Sequence, residues 1–392
     1  MGIYTEYIEM GLNFEGLNVE RKKQLQRISD LRGGRDVLVY AADLTKTQLG
    51  SKISITYEDI LPFSDQLSNL RGTEAIDIIL ETPGGSGEVA EQVVKALRGR
   101  YQKIGMIIPG WAKSAGTIMA MAADEILMDE SSALGPIDAQ IQWQGKVFSA
   151  EALLEGFRKI KKATAASKSL NLAYVPILQG ISPGELQNAK NALKFARDLV
   201  TDWLVRYKFR EWNTHSSTKQ PVTPEERKQR AAEIAADLCS HTKWQTHGRS
   251  IQIDELRKMR LIIEDYSESA ELADAIRRYH VLMQMTFQQS NVHKLFETPT
   301  THLFRMTGQS PLNQPQPPAG IESAPHAMID ADCPSCGKEI PVQARFDAKA
   351  AKDKSRVQFP KDNKLRCPNC HKVTDVLHVR RQLEVAAKRP IL

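Results

Sequence analysis

The sequence predicts an α/β fold in which buried parallel strands alternate with helices, followed by a small metal-binding unit. Three short runs rich in Val and Ile, residues 36–42, 75–81 and 103–109, are typical of strands that are covered on both faces. Between them, residues 57–70 and 86–100 have apolar residues at helical spacing. Four of the five cysteines lie in two CxxC pairs near the C-terminus, which indicates metal ligation instead of disulfides.

The composition excludes a disordered chain and a membrane-spanning one. Of 392 residues, 41% are hydrophobic and 26% charged, as in folded soluble proteins. The most apolar stretch, residues 104–128, is interrupted by Lys113, Asp124 and Glu125, so no run of about 18 apolar residues is present. The N-terminus lacks the basic and apolar regions of a secretory signal. We therefore predict a cytoplasmic protein that does not associate with a membrane.

Four segments are predicted along the chain. A polar, charged segment spans residues 1–34, and the α/β unit spans residues 35–306. The second half of that unit is predominantly helical, notably in residues 183–212 and 224–238, which we expect to be helices appended to the sheet. Residues 307–327 contain five prolines among Gln, Ser and Gly, a composition typical of an extended linker, and residues 328–392 form the metal-binding unit.

A glycine-rich turn, TPGGSG at residues 82–87, joins the second predicted strand to a helix for which Ser86 is a suitable N-cap. Two adjacent glycines let the backbone approach a ligand and point successive N–H groups the same way, beside the positive end of a helix. A negatively charged oxygen fits such a place. A tight turn that simply needs glycine is the alternative interpretation of the motif.

The third predicted strand continues into GWAKSAG, residues 110–116, and then into another helix. Ser114 is therefore expected at a strand-to-helix turn, where its hydroxyl would act as a nucleophile or cap the helix. Because parallel strands bring their carboxyl ends to one edge of a sheet, Gly85 and Ser114 are expected to lie close together. Acyl transfer requires this combination, a nucleophile and oxyanion donors about 3 Å from one carbonyl group.

These motifs carry a resemblance to a known family. It rests on three segments: ETPGGSGEVAEQVV, IIPGWAKSAGTIMAMAADEILM and SSALGPIDAQI. They are similar to the serine dehydrogenase proteinase family, relatives of the Clp-type and signal-peptide-peptidase-type serine peptidases with a crotonase-like fold. The resemblance covers roughly residues 35–266, with a departure at Arg260, where relatives usually have Gly.

The resemblance implies a crotonase/Clp-like parallel-sheet superhelix and a serine endopeptidase that acts on protein or peptide substrates as a homo-oligomer. In this family the equivalent of Ser114 is taken as the nucleophile, and the amides of Gly85 and Ala115 would form the oxyanion hole. The chain contains no P-loop for ATP, so unfolding of a substrate would require a partner.

The sequence leaves the general base open. Clp-type enzymes have a histidine about 25 residues after the nucleophile, but none occurs here between Ser114 and His215. The alternatives are His247 or His241, the carboxylate of Asp138, or a lysine as in the signal-peptide-peptidase type. Five lysines are in range: Lys146, Lys159, Lys161, Lys162 and Lys168.

We place His247 first among these candidates. A lysine base must be desolvated, and the many charges of RKIKKATAASK cannot all be buried. Histidine ordinarily titrates near neutral pH, and His247 falls near the position of the third group of the Clp-type enzymes. The alternative interpretation of His247 is a turn residue that bonds only backbone atoms.

The C-terminal motifs CPSCGK and CPNCHK predict a structural Zn²⁺ ion held by Cys333, Cys336, Cys367 and Cys370 in a zinc ribbon. From Cys333 onward, 14 Lys and Arg face 6 Asp and Glu, a net charge of +8 that would favour nucleic acid. Phe346 and Phe359 are the only aromatic residues there, so recruitment of a protein is an equal alternative. A non-catalytic Clp-like scaffold whose basic ribbon binds nucleic acid or a protein partner is the rival to the peptidase interpretation.

Overall fold

The computed structural model of the protein describes residues 2–143, 146–215, 217–307, 324–333, 336 and 338–392. The chain divides into two compact units, Met1–Met306 and Thr307–Leu392. Most of the predicted linker, residues 308–323, lies outside the described residues. Its residues His326 and Ala327 belong to the first strand of the second unit.

A seven-stranded, mostly parallel sheet forms the centre of the first unit and confirms the predicted α/β class. The strand order is β11-β10-β1-β2-β3-β5-β9, in which β10 and β11 are antiparallel to their neighbours and the other pairs are parallel. The strands are β1 Asp36–Ala42, β2 Ala75–Glu81, β3 Lys103–Ile107, β5 Glu125–Met128, β9 Glu264–Asp265, β10 Val292–Glu297 and β11 His302–Met306. The structure has β1 and β2 with the predicted bounds, and β3 two residues shorter than predicted.

Helices cover both faces of this sheet. The helices of the first unit are α1 Ile3–Glu9, α2 Phe14–Leu31, α3 Ile60–Ser68, α4 Gly87–Arg98, α5 Ala115–Met121, α6 Ala150–Ser167, α7 Val175–Gln179, α8 Pro183–Trp203, α9 Pro224–Cys239, α10 His241–Trp244, α11 Ile253–Lys258 and α12 Ala270–Gln288. Short 3₁₀ segments lie at Thr47–Lys52, Tyr57–Asp59, Leu172–Tyr174 and Tyr266–Glu268, and a π turn at Leu204–Lys208. None of the described helices is long and apolar enough to cross a membrane.

Alternate residues of the central strands enter two separate hydrophobic clusters. Leu38 and Ile78 pack with α3, α4 and α5 on one face of the sheet, and Val39 and Ile79 pack with α2 and α12 on the other. Because both faces are buried, the strands have continuous apolar runs and no polar alternation. The polar N-terminal segment supplies α2, which contributes Leu25 and Ile28 to the α12 face.

Two short strand pairs lie outside the main sheet. In the parallel pair, β4 Trp111–Ala112 lies beside β6 Ala133–Leu134. In the antiparallel hairpin, β7 Gln140–Trp143 pairs with β8 Lys146–Ser149. Arg260, between α11 and β9, has a φ of 64°, in the left-handed region that favours glycine.

In its described residues, the second unit is a small β structure with one helix. A three-stranded sheet contains β12 His326–Asp332, β13 Glu339–Arg345 and β14 Val357–Gln358, and a hairpin pairs β15 Lys364–Arg366 with β16 Val373–Asp375. The helix α13, Leu377–Ala387, completes a compact core that includes Ile329, Val342, Phe359 and Leu383.

Candidate active site

Two loops meet where β2 and β3 end. The glycine loop, residues 82–87, follows β2, and the serine loop, residues 110–116, follows β3. The N–H of Thr82 donates to the carbonyl of Trp111 at 2.9 Å, and the N–H of Lys113 donates to the carbonyl of Thr82 at 3.0 Å. These bonds make the two loops a short parallel pair, so the carboxyl ends of two adjacent strands come together.

Ser114 has an unusual backbone conformation at the start of α5. Its φ is 49° and its ψ is −115°, and its side chain makes no capping hydrogen bond with the helix. A non-glycine residue in such a conformation costs about 1–3 kcal/mol and persists only where its surroundings impose it. The hydroxyl therefore does not serve the local structure of the helix.

Gly84 and Gly85 allow the glycine loop to approach its neighbours closely. A Cβ atom added to Gly84 would lie 2.6 Å from Cβ of Ser114. On the other side, Gly85 has a φ of 144°, and a Cβ atom there would lie 2.5 Å from the N atom of Ile55. Ile55 holds the loop from that side, since its N–H donates to the carbonyl of Gly84 at 2.7 Å and its carbonyl accepts from Ser86 at 2.9 Å.

Two backbone N–H groups beside Ser114 have no acceptor. In the part of the chain that the structure describes, the N–H groups of Gly85 and Ala115 donate to no protein atom. Ala115 directly follows Ser114, and Gly85 follows Gly84, which packs on Ser114. The arrangement therefore offers two donors next to one hydroxyl.

Replacing Gly85 with alanine is expected to lower the free energy of unfolding of the first unit by at least about 2 kcal/mol, because the new Cβ would collide with the Ile55 backbone. The matched control is Gly156→Ala, since Gly156 lies in α6 with open space around it and should gain about 0.5–1 kcal/mol. All five tryptophans precede residue 307, so tryptophan fluorescence during urea unfolding reports on this unit alone. Equal stability of the two variants would contradict the close approach at Gly85.

A cavity of about 520 Å³ opens beside Ser114. Its walls come from the two loops, from α5, from the segment that precedes β7 and from α8. The apolar part includes Ile118, Ile137 and Phe195, and the polar part includes Asp138 and Asn191. The hydroxyl of Ser114 therefore lies at a space that is large enough for part of a ligand.

Asp138 connects this cavity to two histidines. The residue is 1% exposed, Oδ1 lies 2.6 Å from Nδ1 of His247, and Oδ2 lies 3.0 Å from Nδ1 of His241. Burial raises the pKa of Asp138, but the hydrogen bonds from His247 and His241 outweigh it and hold the pKa below its usual range. His247 thus binds a carboxylate and is not a turn residue that bonds only backbone atoms. Asp138 lines the cavity, whereas the described lining includes neither histidine.

The five lysines predicted as alternative bases are all exposed at the surface. None of them is among the described residues that line the cavity, and Lys159 lies 2.8 Å from Glu155 on its own helix. Exposure leaves these side chains in water, without the desolvation that a lysine base requires.

The structure adds a lysine that sequence analysis missed. Lys113 directly precedes Ser114, and its Nζ donates to the carbonyls of Leu134 and Arg249 at 3.2 Å and to Oγ of Ser250 at 2.8 Å. Burial lowers the pKa of Lys113 to about 8. The side chain ties the serine loop to the segment that follows His247. The signal for it was a lone lysine in a turn of otherwise small and apolar residues.

The four C-terminal cysteines come together in the second unit. Their sulfur atoms all lie within 4.8 Å of one another, and Cys333 and Cys367 are buried. Each CxxC turn closes in the same way: the N–H of Cys333 donates to the carbonyl of Lys338, and that of Cys367 to the carbonyl of Lys372, both at 2.9 Å. Four thiolates at this spacing are a ligand set that suits a tetrahedral metal ion.

Two curated proteins of Methanocaldococcus jannaschii, both uncharacterised, are similar to this chain. One is 33% identical over 160 residues, and the other is 32% identical over 132 residues. The alignments cover 40% and 33% of this chain, and 53% and 46% of the relatives. The chain therefore spans about half the length of each of these relatives.

Solved structures with similar chains include a membrane-bound stomatin-specific protease. A serine-to-alanine variant of that protease has a TM-score of 0.33 at 16% identity, covering 57% of this chain and 79% of its own. A lysine-to-alanine variant in complex with a substrate peptide has a TM-score of 0.33 at 14% identity, covering 64% and 82%. A probable enoyl-CoA hydratase/isomerase from Mycobacterium abscessus has a TM-score of 0.26 at 15% identity, covering 60% and 73%.

A protein-family profile matches the part of the chain that holds both loops. Residues 7–182 match the family described as ClpP-like SDH-type serine proteinase. The matched residues include Gly85, Ser114 and Asp138, whereas His241 and His247 lie beyond them. This match confirms the resemblance inferred from the sequence: residues 7–182 are similar to the family of ClpP-like SDH-type serine proteinases.

Proposed function

We propose that the protein is a serine peptidase that cleaves peptide bonds through an acyl-enzyme on Ser114. The observation that carries this proposal is the contact between the glycine and serine loops, which leaves the N–H groups of Gly85 and Ala115 without acceptors beside the hydroxyl. When Oγ of Ser114 attacks a peptide carbonyl, the carbonyl oxygen becomes an anion, and the two N–H groups donate to it.

His247 is the general base of the proposed mechanism. Asp138 accepts from Nδ1 of His247, so the imidazole keeps its proton there, and Nε2 takes the proton of the Ser114 hydroxyl. The low pKa of Asp138 keeps its carboxylate charged and stabilises the imidazolium that forms. His247 then gives this proton to the leaving amine, and water activated by the same ring hydrolyses the acyl-enzyme. Among the described residues His247 contacts Asp138 and not Ser114, so the proposed proton transfer requires the two side chains to approach each other when a substrate is bound.

Covalent labelling and peptide hydrolysis test the proposal. A fluorophosphonate probe should add one phosphonate to the tryptic peptide that contains Ser114, as measured by mass spectrometry, and the protein should hydrolyse members of a fluorogenic peptide mixture. If the full chain is neither labelled nor active, the proposal is wrong. Turnover of an acyl-CoA thioester without labelling of Ser114 would also contradict it, since that chemistry needs the oxyanion donors but no covalent serine.

The two histidines that share Asp138 form a matched pair. We expect His247→Gln to lower kcat for peptide hydrolysis by about 10³-fold, because general-base assistance is lost. His241→Gln should leave kcat close to that of the wild type, since its amide still donates to Asp138. Steady-state kinetics from pH 5 to 9 measures both. A larger loss in His241→Gln would assign the base to His241, and equal small losses would exclude both histidines.

Acidic pH should weaken the same cluster. The folded pKa of Asp138 is lowered, so the stability that its hydrogen bonds contribute is present above the unfolded pKa of about 3.9 and is lost as the pH falls through the folded value. Between pH 5 and 9 the carboxylate stays charged, so titration of Asp138 contributes nothing to the pH profile of kcat in that range.

We also propose that the second unit is a zinc ribbon with one structural Zn²⁺ ion. The four thiolates of Cys333, Cys336, Cys367 and Cys370 would hold the ion, and the two CxxC turns that close alike support this. The core of this unit is small, and units of this size commonly need a metal ion to fold. When bound, the ion would cross-link the two CxxC turns and would take no part in peptide hydrolysis.

A further inference from the structure

An ion pair between a buried carboxylate and a half-buried histidine lies under both loops, on the face of the sheet opposite the cavity. Glu81 is the last residue of β2, and its side chain points toward α12, whereas the preceding Leu80 packs on the α4 face. Nε2 of His280 lies 2.8 Å from Oε2 of Glu81, and the amide of Gln284 donates to Oε1 at 2.5 Å. The side chain of Glu81 is 3% exposed and that of His280 is 27% exposed.

The pair touches the point where each loop begins. Glu81 directly precedes Thr82, the first residue of the glycine loop. Gly110 is the first residue of the serine loop, and a Cβ atom added to it would lie 2.7 Å from Oε2 of Glu81 and 3.1 Å from Nε2 of His280. The next bonds along the chain are those between Thr82 and Trp111, which join the two loops. The pair is therefore in contact with the base of both loops.

We propose that the Glu81–His280 pair sets the separation of the glycine and serine loops, and thereby the positions of the Gly85 amide and the Ser114 hydroxyl. Both are positioning residues, since neither lines the cavity among the described residues. The inference rests on the proposed peptidase function.

The effect of the pair on the loops depends on its charges. A buried carboxylate that loses its cationic partner must take up a proton or admit water, and either event changes its contact with the Gly110 backbone. The amide of Gln284 remains as a second donor to Glu81, but it carries no charge. The spacing of the loops therefore depends on the protonation of His280.

Three groups surround His280: two carboxylates and one amide. They are Glu81 at the end of β2, Asp129 just after β5, and Gln284 on α12, and Asp129 in turn accepts from Arg277 at 2.9 Å. Burial lowers the pKa of His280, but the attraction of the Glu81 carboxylate, together with the charge of Asp129, outweighs it and raises the pKa. The contribution of the pair is therefore fully present below the unfolded value of about 6.5 and is lost as the pH rises through the folded value.

The test compares the pair with a matched ion pair on the same helix. His280→Gln and Glu81→Gln remove the charges at the base of the loops, whereas Arg27→Gln breaks the half-exposed pair of Arg27 with Asp274 between α2 and α12. For each protein, kcat and KM for a fluorogenic peptide and the rate of fluorophosphonate labelling are measured from pH 6 to 9. The melting temperature of the first unit is followed by tryptophan fluorescence.

We expect kcat to fall by about 10²-fold in His280→Gln with KM within about twofold of wild type, because a displacement near 1 Å costs this much. The labelling rate of the wild type should decline at alkaline pH, and the double variant Glu81→Gln/His280→Gln should lose that decline. Loss of kcat in proportion to melting temperature, as in Arg27→Gln, or an unchanged alkaline decline, would overturn the inference.

Further outcomes separate this inference from the proposed function. A wild-type protein that is neither labelled nor active contradicts the peptidase proposal itself, whereas an active wild type with fully active variants overturns only the positioning role. If His280→Gln does not fold, Gln284→Met removes only the amide that donates to Glu81. That variant must then lower kcat more than Arg27→Gln does, and a smaller effect overturns the inference.

Discussion

Replacing Ser114 with alanine is expected to lower kcat for peptide hydrolysis by about 10⁵-fold, because removal of the nucleophile leaves only the oxyanion donors and substrate binding. The cavity and both N–H groups remain, so KM for a fluorogenic peptide should change little. Labelling by the fluorophosphonate probe should disappear completely. Residual kcat within about tenfold of the wild type would mean that another group is the nucleophile.

A glycine at the same position separates activity from stability. Ser114 has a φ of 49°, a conformation that glycine adopts without steric cost, so Ser114→Gly should raise the stability of the first unit by about 1 kcal/mol. The same variant should be as inactive as Ser114→Ala. Urea unfolding followed by tryptophan fluorescence measures the change. A destabilised Ser114→Gly variant would show that the conformation carries no strain.

Removal of zinc is expected to unfold the second unit while the first unit stays folded. Structural zinc contributes about 10–16 kcal/mol of apparent binding free energy in small zinc-binding peptides, which exceeds the stability of a typical small domain. We expect about one Zn²⁺ per chain by elemental analysis, as four thiolates make a complete tetrahedral set. Chelation should move the dispersed amide NMR signals of residues 324–392 to random-coil positions and leave the tryptophan melting curve unchanged.

Cysteine variants give the control for the zinc prediction. Cys367→Ser removes one of the four clustered thiols and should lower the zinc content several-fold, with loss of the second unit. Cys239→Ser changes the fifth cysteine, which is buried in the first unit and outside the cluster, so the zinc content should remain that of the wild type. A second unit that stays folded without metal, or equal zinc loss in both variants, would contradict the assignment.

The elements of the sheet and the two loops follow from local patterns in the chain. Continuous Val and Ile runs predict β1 and β2 with the bounds that the structure has, because a strand buried on both faces leaves no room for polar residues. The glycine doublet and Ser114 both come directly after strands, and parallel order alone brings such positions to one edge. Their proximity therefore needed no knowledge of side-chain packing.

The cysteines were equally accessible to sequence analysis. Each CxxC motif forms a turn within a few residues. Two such motifs therefore predict four metal ligands without any knowledge of the structure of the segment between them. The sequence disfavours the lysines of α6 as general bases less directly. It does so only through the expectation that a charged helix face is exposed to water, and these lysines are exposed.

Long-range packing decided the features that local patterns cannot express. Asp138 and His247 are 109 residues apart, and their contact depends on how α9 and α10 pack beside the cavity. The burial of Lys113 and the pairing of Glu81 with His280 likewise arise from segments that are distant in sequence. The sequence alone thus determines that the glycine loop and the serine loop lie side by side, because the end of each strand is set by residues that are close together in the chain. Which charged groups surround them depends on helix packing, because the desolvation and pairing of a charge are properties of its neighbours in space.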